Sequence, residues 1–194
     1  MQSIQMETKN QSIIKMASLD HAEVLSKLGA RTFYQSHKDS APAHEIERYM
    51  KNVYSLDAIR SELKNPDNIY HMLEYGCTVV GFSKMELGVK HPLVSLDRVT
   101  KMDQIYLDES VLGQGLGAQL LCHNIAYSKL HGENGMWLVV WAFNRTAIAV
   151  YEKFGFGVVA TDIFQLTDSH QSPCYVMLLD YYIDKWSAKS LSKR

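Results

Sequence analysis

Three glycines at alternate positions, Gly113, Gly115 and Gly117, form the stretch of the sequence best suited to bind a ligand. Glycine tolerates positive φ angles and leaves space where a Cβ would clash. Residues 103–107 before them favour a strand, and apolar residues at helical spacing after them favour a helix. Such a loop leaves N–H groups unpaired at a helix N-terminus, where the macrodipole attracts anions. The pattern predicts a phosphate-binding loop, and a purely structural turn is the alternative.

The residues after the glycines narrow the choice of phosphate ligand. A nucleotide-kinase loop ends in Gly-Lys-Ser/Thr, whereas Gly117 is followed by Ala118 and Gln119, which excludes that class. A dinucleotide-binding fingerprint spaces its last two glycines three residues apart and opens its domain. Gly115 and Gly117 are two apart and lie past the middle of the chain, so the dinucleotide class is disfavoured.

A third class of phosphate loop fits better. The GNAT family of acyl-CoA-dependent N-acyltransferases carries Arg/Gln-x-x-Gly-x-Gly/Ala after a central strand, and this chain resembles it with Leu112-Gly113-Gln114-Gly115-Leu116-Gly117. Leu112 stands where the family usually has Arg or Gln. The resemblance implies acetyl-CoA (coenzyme A) as cofactor, held mainly by backbone N–H groups. It assigns cofactor binding in this region to Ile105, Tyr106, Leu107, Leu112, Gly113, Gln114, Gly115, Leu116, Gly117 and Ala118.

A second segment, residues 141–156, resembles the other signature of the same family, an Asn followed by Ala, then Tyr, then Gly-Phe. The resemblance implies that Asn144 contacts the cofactor and that the hydroxyl of Tyr151 lies near the thioester sulfur. From the residues alone, Asn144 is also a good helix N-cap. A phenol on the inner face of an amphipathic helix, as at Tyr151, is often simply part of a core.

The resemblance extends to the PaiA-type spermine/spermidine acetyltransferases. Residues 102–107, Met-Asp-Gln-Ile-Tyr-Leu, are similar to that group's Leu-Glu-Arg-Ile-Tyr-Val, and residues 140–151 are similar to its Val-Trp-Glu-x-Asn-x-x-Ala-Ile-x-Phe-Tyr. Asp103, Gln104 and Ala142 differ from the group's Glu, Arg and Glu. The resemblance implies a small-molecule primary amine as acceptor, with polyamines such as spermidine and spermine as candidates.

An amine acceptor must lose a proton before it can attack. An alkylamine with a pKa near ~10.4 is protonated at pH 7, and presenting it as the neutral nucleophile costs about 4.6 kcal/mol at ~1.36 kcal/mol per unit. Asp103, at the expected start of the central strand, is the candidate general base, and a solvated strand-end carboxylate is the alternative interpretation.

Attack on the thioester is then expected to be direct. A backbone N–H within residues 105–107 would stabilise the oxyanion, and Tyr151 would donate to the departing thiolate. A cysteine acyl-enzyme is disfavoured because Cys122 is expected on the apolar face of its helix, and Cys77 and Cys174 have no histidine at a telling spacing.

Two other functions stay open from the sequence. One is acetylation of a protein N-terminus or of a lysine side chain. The other is a non-catalytic acyl-CoA-binding regulatory module, for which Leu112 is the best hint.

The composition excludes several classes of protein. The chain has 194 residues, 46% hydrophobic, with a formal net charge of -1, which fits a single domain expected at residues 12–180, with terminal extensions at 1–11 and 181–194. Lys plus Arg total 20 against 21 acids, so no nucleic-acid partner is expected. The scattered histidines and three unpaired cysteines predict no metal and no disulfide. No membrane span or signal peptide is expected, so a cytoplasmic protein is predicted, with a homodimer left open.

The predicted elements give an α+β fold. Strands are expected at 12–16, 69–75, 78–87, 103–108, 136–141, 158–166 and 174–179, and helices at 21–36, from residue 43, at 55–63, after the glycine loop, and at 144–154. Four acids of the early helices are expected either on a solvated face or at a cleft for a cationic substrate: Glu45, Glu47, Asp57 and Glu62. The resemblance implies the GNAT fold, a mixed, mostly antiparallel sheet of six to seven strands, flanked by helices and splayed around the cofactor.

Overall fold

The computed structural model describes residues 11–167 and 170–182. This part of the chain contains seven strands and five α-helices, with short 3₁₀ turns at Leu19–His21 and Glu109–Val111. In chain order they are β1 (Ser12–Met16), α1 (Ala22–His37), α2 (Ala43–Val53), α3 (Leu56–Lys64), β2 (Ile69–Tyr75), β3 (Thr78–Glu86), β4 (Val99–Leu107), α4 (Leu116–Leu130), β5 (Gly135–Trp141), α5 (Arg145–Phe154), β6 (Gly157–Thr167) and β7 (His170–Asp180).

The strands form one mixed sheet in the order β1-β2-β3-β4-β5-β7-β6. The pairs β1/β2, β2/β3 and β5/β7 are antiparallel. The parallel pair β4/β5 is a short ladder that joins Val99–Lys101 to Gly135–Trp137. This architecture confirms the predicted α+β fold of the GNAT type. The strands predicted at 69–75 and 78–87 form an antiparallel hairpin with a two-residue turn at Gly76 and Cys77.

The chain divides into two compact units. The first comprises residues up to 85, 104–124 and 166–170. Within it, Met72 packs in a cluster with residues of α1, α2 and α3, whereas the next residue of β2, Leu73, packs with Leu116 and Leu120 of α4. Successive strand side chains point to opposite faces, so this unit buries apolar side chains on both sides of its strands.

The second unit comprises residues 86–103, 125–165 and those from 171 onward. Its apolar cluster is built around Val94, Val99, Trp137 and Val176. Beside it runs a hydrogen-bonded chain of hydroxyl groups. The oxygens of Thr100 and Ser128 lie 2.6 Å apart, and the Tyr181 hydroxyl donates to Ser128 Oγ at 2.8 Å.

Two sequence predictions about α4 were wrong in the same way. The sequence predicts Cys122 on the apolar face of this helix and counts Leu130 among the apolar residues at helical spacing, but Cys122 is exposed and Leu130 is 83% exposed. The buried positions instead include the polar Asn124 and Ser128. Each has a partner far away in sequence, since Asn124 Oδ1 lies 2.7 Å from His71 Nδ1 and Ser128 bonds to Thr100 and Tyr181. Polar groups can be buried when they are hydrogen-bonded, and periodicity does not reveal this.

Strand β4 also differs from the prediction. It begins at Val99, four residues before the predicted start, so Asp103 lies in the middle of the strand and not at its beginning. The predicted terminal extensions fall mostly on residues 1–10 and 183–194, which are outside the described part of the chain.

Candidate active site

The glycine loop connects β4 to α4 through a 3₁₀ turn, as the sequence predicted for a strand, loop and helix. Gly113 and Gly115 adopt φ angles of +78° and +76°, in the left-handed region where a side chain is strained. A Cβ added at either glycine would meet no atom within 4 Å, so the space above the loop is open. The side chain of Leu112, which stands where Arg or Gln was expected, is 61% exposed.

The backbone N–H groups of this loop are available to a ligand. Leu112 N–H donates to the Glu109 carbonyl at 3.3 Å, and Gln119 N–H makes the first bond of α4, to the Gly115 carbonyl at 3.1 Å. Between them, among hydrogen bonds formed by the described residues, none uses the N–H groups from Gly113 to Ala118. Six consecutive donors therefore surround a helix N-terminus, which is an arrangement suited to a pyrophosphate.

Asp108 fixes the start of the loop. Its Oδ1 accepts from the Ser110 N–H at 3.0 Å and from the Ser110 hydroxyl at 2.6 Å, and its Oδ2 lies 2.6 Å from Arg31 Nη2 of α1. The Ser110 hydroxyl and N–H, together with the Arg31 charge, hold the pKa of Asp108 below its usual value. Asp108 is not among the site residues predicted from the sequence, although an Asp directly after a strand and two residues before a Ser is a recognisable turn signal.

The third glycine has a different task from the first two. A Cβ at Gly117 would lie 3.2 Å from Leu107 Cδ1, so the absence of a side chain lets α4 approach β4 closely. The same strand is approached from its other neighbour, because a Cβ at Gly81 of β3 would lie 2.9 Å from the Tyr106 carbonyl oxygen. Ile105 and Leu107 pack against the cluster beneath α4. Close packing therefore holds in place the strand backbone from which the oxyanion donor was predicted.

Tyr106 faces the other side of β4, into an aromatic cluster with α1 and α2. Its ring lies 6.4 Å from that of Phe33, 6.2 Å from that of His37 and 5.9 Å from that of Phe82. Phe33 in turn stacks on Tyr49, with ring centroids 4.6 Å apart. Aromatic rings of α1 and β3 thus pack against Tyr106, the central residue of the segment from which the oxyanion donor was predicted.

Asp103 is bound by a neighbouring cation. Its Oδ1 lies 2.6 Å from Lys101 Nζ, and the same ammonium lies 3.3 Å from Glu86 Oε1. Burial alone would lower the pKa of Lys101, but the charges and hydrogen bonds of Asp103 and Glu86 outweigh it and raise this pKa. The carboxylate that was predicted to act as a base thus takes part in a three-residue ion-pair cluster with Lys101 of the same strand and Glu86 at the end of β3.

Helix α5 carries the residues of the second signature. Asn144 is its N-cap, and its Oδ1 accepts the Ala147 N–H at 3.1 Å, which confirms the capping interpretation. Tyr151, in the last turn of the helix, is only partly exposed, and its ring centroid lies 5.7 Å from that of Phe156. Burial raises the pKa of Tyr151 to about 12, so its phenol keeps its proton at neutral pH.

The predicted site residues are distributed over both units. Residues 105–118 belong to the first unit, whereas Asp103, Asn144 and Tyr151 belong to the second. Within the described residues, no group of three or more His, Cys, Asp or Glu side chains could hold a metal ion. None of the described helices is long and apolar enough to cross a bilayer.

The acids of the early helices differ in their exposure and in their partners. Asp57 is exposed, as a solvated face requires. Glu45 is buried and its Oε2 lies 2.8 Å from Arg48 Nη2, while Glu62 Oε2 lies 2.6 Å from Lys84 Nζ. These two carboxylates are held by cations of the protein itself.

The sequence matches a described family over more than half its length. Residues 30–156 match the model of the acetyltransferase (GNAT) family. A curated relative, an uncharacterized N-acetyltransferase in the pepI 3' region of Lactobacillus delbrueckii subsp. lactis, is 22% identical over 161 residues, which are 82% of this chain and 92% of the relative.

Solved structures show the same fold. The PaiA N-acetyltransferase from Thermoplasma acidophilum, in complex with coenzyme A, superposes with a TM-score of 0.70 at 19% identity, covering 88% of this chain and 99% of that one. The ribosomal-protein-S18-alanine N-acetyltransferase from Escherichia coli superposes with a TM-score of 0.60 at 20% identity, covering 90% of this chain and 96% of that one.

Proposed function

Because this chain belongs to the GNAT family of acetyltransferases and uses acetyl-CoA, we propose that its acceptor is a primary amine, with polyamines such as spermidine and spermine as the first candidates. The observation that carries the assignment of the site is the row of six unpaired N–H groups from Gly113 to Ala118. The amine class rests on the similarity of residues 102–107 and 140–151 to PaiA-type enzymes, and the superposed PaiA structure supports it.

The loop amides bind the pyrophosphate of the coenzyme in this proposal. The thioester then lies along β4, where an N–H within residues 105–107 stabilises the oxyanion as the amine attacks. Donors in a dry, fixed site are worth more than donors in water, because no solvent has to reorganise during the reaction. Asn144 adds a contact to the coenzyme besides its capping bond.

Tyr151 acts on the leaving group. Its pKa of about 12 lies well above the ~8.5 of a thiol, so full proton transfer to the thiolate would be uphill by roughly 5 kcal/mol. The phenol therefore donates a hydrogen bond that stabilises the departing sulfur, and water supplies the proton afterwards. Loss of this donor slows turnover without abolishing it.

The experiment is thiol release from acetyl-CoA measured across a panel of amines that includes spermidine and spermine, with calorimetry of coenzyme binding on the same protein. Turnover with amines supports the proposal. Coenzyme binding without turnover on any amine or peptide would overturn it in favour of a non-catalytic acyl-CoA-binding module.

A second acceptor class is tested in the same assay. The superposed E. coli enzyme is named for acetylating the alanine of a ribosomal protein, which favours including peptide N-termini and a lysine peptide in the panel. Turnover with peptides and not with small amines would replace the polyamine proposal by protein acetylation.

Tyr151→Phe tests the role of the phenol. We expect kcat to fall by about 10- to 100-fold while the Kd for coenzyme A changes by less than about twofold, because the hydroxyl acts on the leaving group. Tyr181→Phe is the matched control, since burial also raises the pKa of Tyr181 to about 12 and its hydroxyl bonds to Ser128. It should cost about 1 kcal/mol of stability and leave kcat unchanged. Equal rates for Tyr151→Phe and wild type would reduce Tyr151 to a packing residue.

A further inference from the structure

His37, at the end of α1, is held in one orientation by its own helix. Its Nδ1 lies 3.1 Å from the Phe33 carbonyl oxygen, and its ring stacks on the Phe33 ring with centroids 4.3 Å apart and planes 13° apart. Because a carbonyl oxygen only accepts, Nδ1 must carry the proton in this hydrogen bond. The neutral ring therefore presents the lone pair of Nε2.

The surroundings of His37 keep the imidazole neutral. Burial lowers its pKa, an effect that the hydrogen bond to Phe33 only partly offsets. The rings that pack around it carry phenols, that of Tyr106 on β4 and, behind Phe33, those of Tyr49 on α2 and of Tyr54. His37 nevertheless keeps partial access to solvent, so a small molecule can reach it.

The position of this base matters because of its neighbour on β4. The His37 ring lies edge-on to Tyr106, with centroids 6.2 Å apart and planes at 69°. Tyr106 is the central residue of the segment from which the oxyanion donor was proposed. By contrast, the Asp103 carboxylate accepts from Lys101 Nζ at 2.6 Å, which occupies one of its oxygens.

We propose that His37, and not Asp103, is the general base that takes the proton from the acceptor nitrogen. The inference rests on the proposed acetyl transfer to an amine and adds the residue that serves it. The acceptor ammonium first loses one proton to solvent, which leaves the neutral amine. As this amine attacks the thioester carbon, the C–N bond forms and the nitrogen becomes positively charged and strongly acidic. Nε2 takes that proton, the C–S bond breaks, and the electron pair leaves with the coenzyme sulfur. The products are the amide and the coenzyme thiol, and His37 returns its proton to solvent.

His131 serves as a control for His37, because it makes the same kind of local contacts. His131, just beyond α4, stacks on Tyr127 four residues earlier, with centroids 4.1 Å and planes 22° apart, and its Nδ1 lies 2.8 Å from the Tyr127 carbonyl oxygen. It is exposed and belongs to neither predicted set of site residues. The same substitution at both positions removes the same local contacts.

The experiment compares wild type, His37→Asn and His131→Asn by the pH dependence of kcat/KM, using an amine that the wild type acetylates. In a plot of log kcat/KM against pH, the wild-type curve should break at the pKa of His37, below which its slope increases by one unit. This pKa lies under the ordinary ~6.5 of histidine. In His37→Asn this break should vanish and kcat should fall by at least about 100-fold, with the Kd for coenzyme A unchanged. Added imidazole should restore part of the rate, and His131→Asn should behave as wild type.

Three outcomes would overturn the inference. They are a His37→Asn enzyme that keeps both rate and break, a loss of the break in Asp103→Asn in its place, or a wild-type profile without a break. The last needs no variant and so decides the matter even if His37→Asn does not fold. If the wild type acetylates no amine at all, it is the proposed function that fails. The amine assay on the wild type therefore distinguishes a failure of the proposed function from a failure of the role of His37.

Discussion

Helix α5 begins with a side-chain cap, because the Oδ1 atom of Asn144 accepts the Ala147 N–H at 3.1 Å. Helix α4 follows Gly113 and Gly115, and its first N–H groups have no protein acceptor among the described residues. Both helices carry the same macrodipole charge at this end. A side-chain cap satisfies an orphan donor and stabilises the helix, typically by ~1 kcal/mol. An open end forgoes that stabilisation and offers its donors to an anion.

The difference shows where the protein departs from the usual rules of helix design. The loop before α4 is not without caps, since Asp108 caps the 3₁₀ turn that precedes it. The side-chain cap thus fixes the 3₁₀ turn before the loop, while the N–H groups at the start of α4 remain available. A donor set that is rigid before the ligand arrives loses less entropy on binding.

The largest effect should come from a side chain placed in the open end. Gly115→Val forces a β-branched residue into φ +76° and puts its methyl groups into the space above the amides. We expect the Kd for coenzyme A to rise at least tenfold, which is about 1.4 kcal/mol, measured by calorimetry. Gly88→Val is the control, because Gly88 has φ +68° and equally open space. A similar loss of stability in both, with coenzyme binding lost only in the first, is the expected pattern; weak binding in both would contradict it.

The second-largest effect on coenzyme binding is expected when Asp108, the cap of the 3₁₀ turn, is removed. Asp108→Ala frees the Ser110 N–H and Arg31, so the loop loses its anchor, and we expect a roughly fivefold weaker Kd with a loss of ~1 kcal/mol in stability. Ser55→Ala removes the cap of α3, whose Oγ accepts the Ala58 N–H at 3.3 Å, and should cost stability alone. Coenzyme affinity that falls equally in both variants would show a global effect.

The same cap makes the loop sensitive to acid, unlike the amide cap of α5. The pKa of Asp108 is lowered by folding, so its stabilisation is present above its ordinary pKa of ~3.9 and is lost as pH falls through the lower folded value. Coenzyme affinity should therefore fall in this acid range in the wild type. In Asp108→Asn the affinity should already be lower at pH 7 and should lack this step, as followed by calorimetry from pH 7 downward. A step of equal size in both proteins would assign it to other groups.

Substitution of Asn144 should have a smaller effect and separates its two roles. Asn144→Ser keeps a good cap, so stability should change by only a few tenths of a kcal/mol, while the proposed coenzyme contact is lost and the Kd rises about threefold. Asn144→Ala should lose ~1 kcal/mol of stability as well. If Asn144→Ser binds the coenzyme as tightly as wild type, the residue is a cap only.

The smallest change is expected at Leu112. Its side chain is 61% exposed, and the ligand contacts are assigned to the backbone, so Leu112→Arg should tighten coenzyme binding only about two- to threefold at low salt. The gain should disappear at ~1 M salt, where charges are screened within about 3 Å. A gain of tenfold or more would mean that the natural Leu112 weakens the site substantially.

Much of the fold followed from local sequence signals. The bounds of β1 and β2 and the start of α2 were predicted correctly, as were the Asn144 cap and the glycine after α5. These features depend on residues that are neighbours in the chain. The loop could be predicted for the same reason, because the glycines carry their φ requirement wherever they stand.

Of the features that were missed, two involve near neighbours in the chain, and the position of His37 depends on a partner remote in sequence. Strand β4 was predicted to begin at Asp103, four residues late, whereas the polar residues Thr100 and Lys101 also belong to it and Lys101 pairs with Asp103 along the strand. Asp20, with Glu23 three residues later, is typical of a helix N-cap, but Ser18 takes that position ahead of a 3₁₀ turn, where the Ser18 N–H donates to His21 Nδ1 at 3.0 Å. His37 was not singled out because nothing in the sequence places it beside Tyr106, 69 residues further along.

The hydroxyl chain from Thr100 through Ser128 to Tyr181 bears on how the protein can be shortened. Its last member follows β7, which ends at Asp180. A version cut after Asp180 would retain every strand and still deprive Ser128 of its phenol donor and Lys129 of the ring that lies 4.8 Å from its ammonium. The smallest fragment that preserves the native contacts of α4 therefore ends beyond the last strand, at Tyr181 or later.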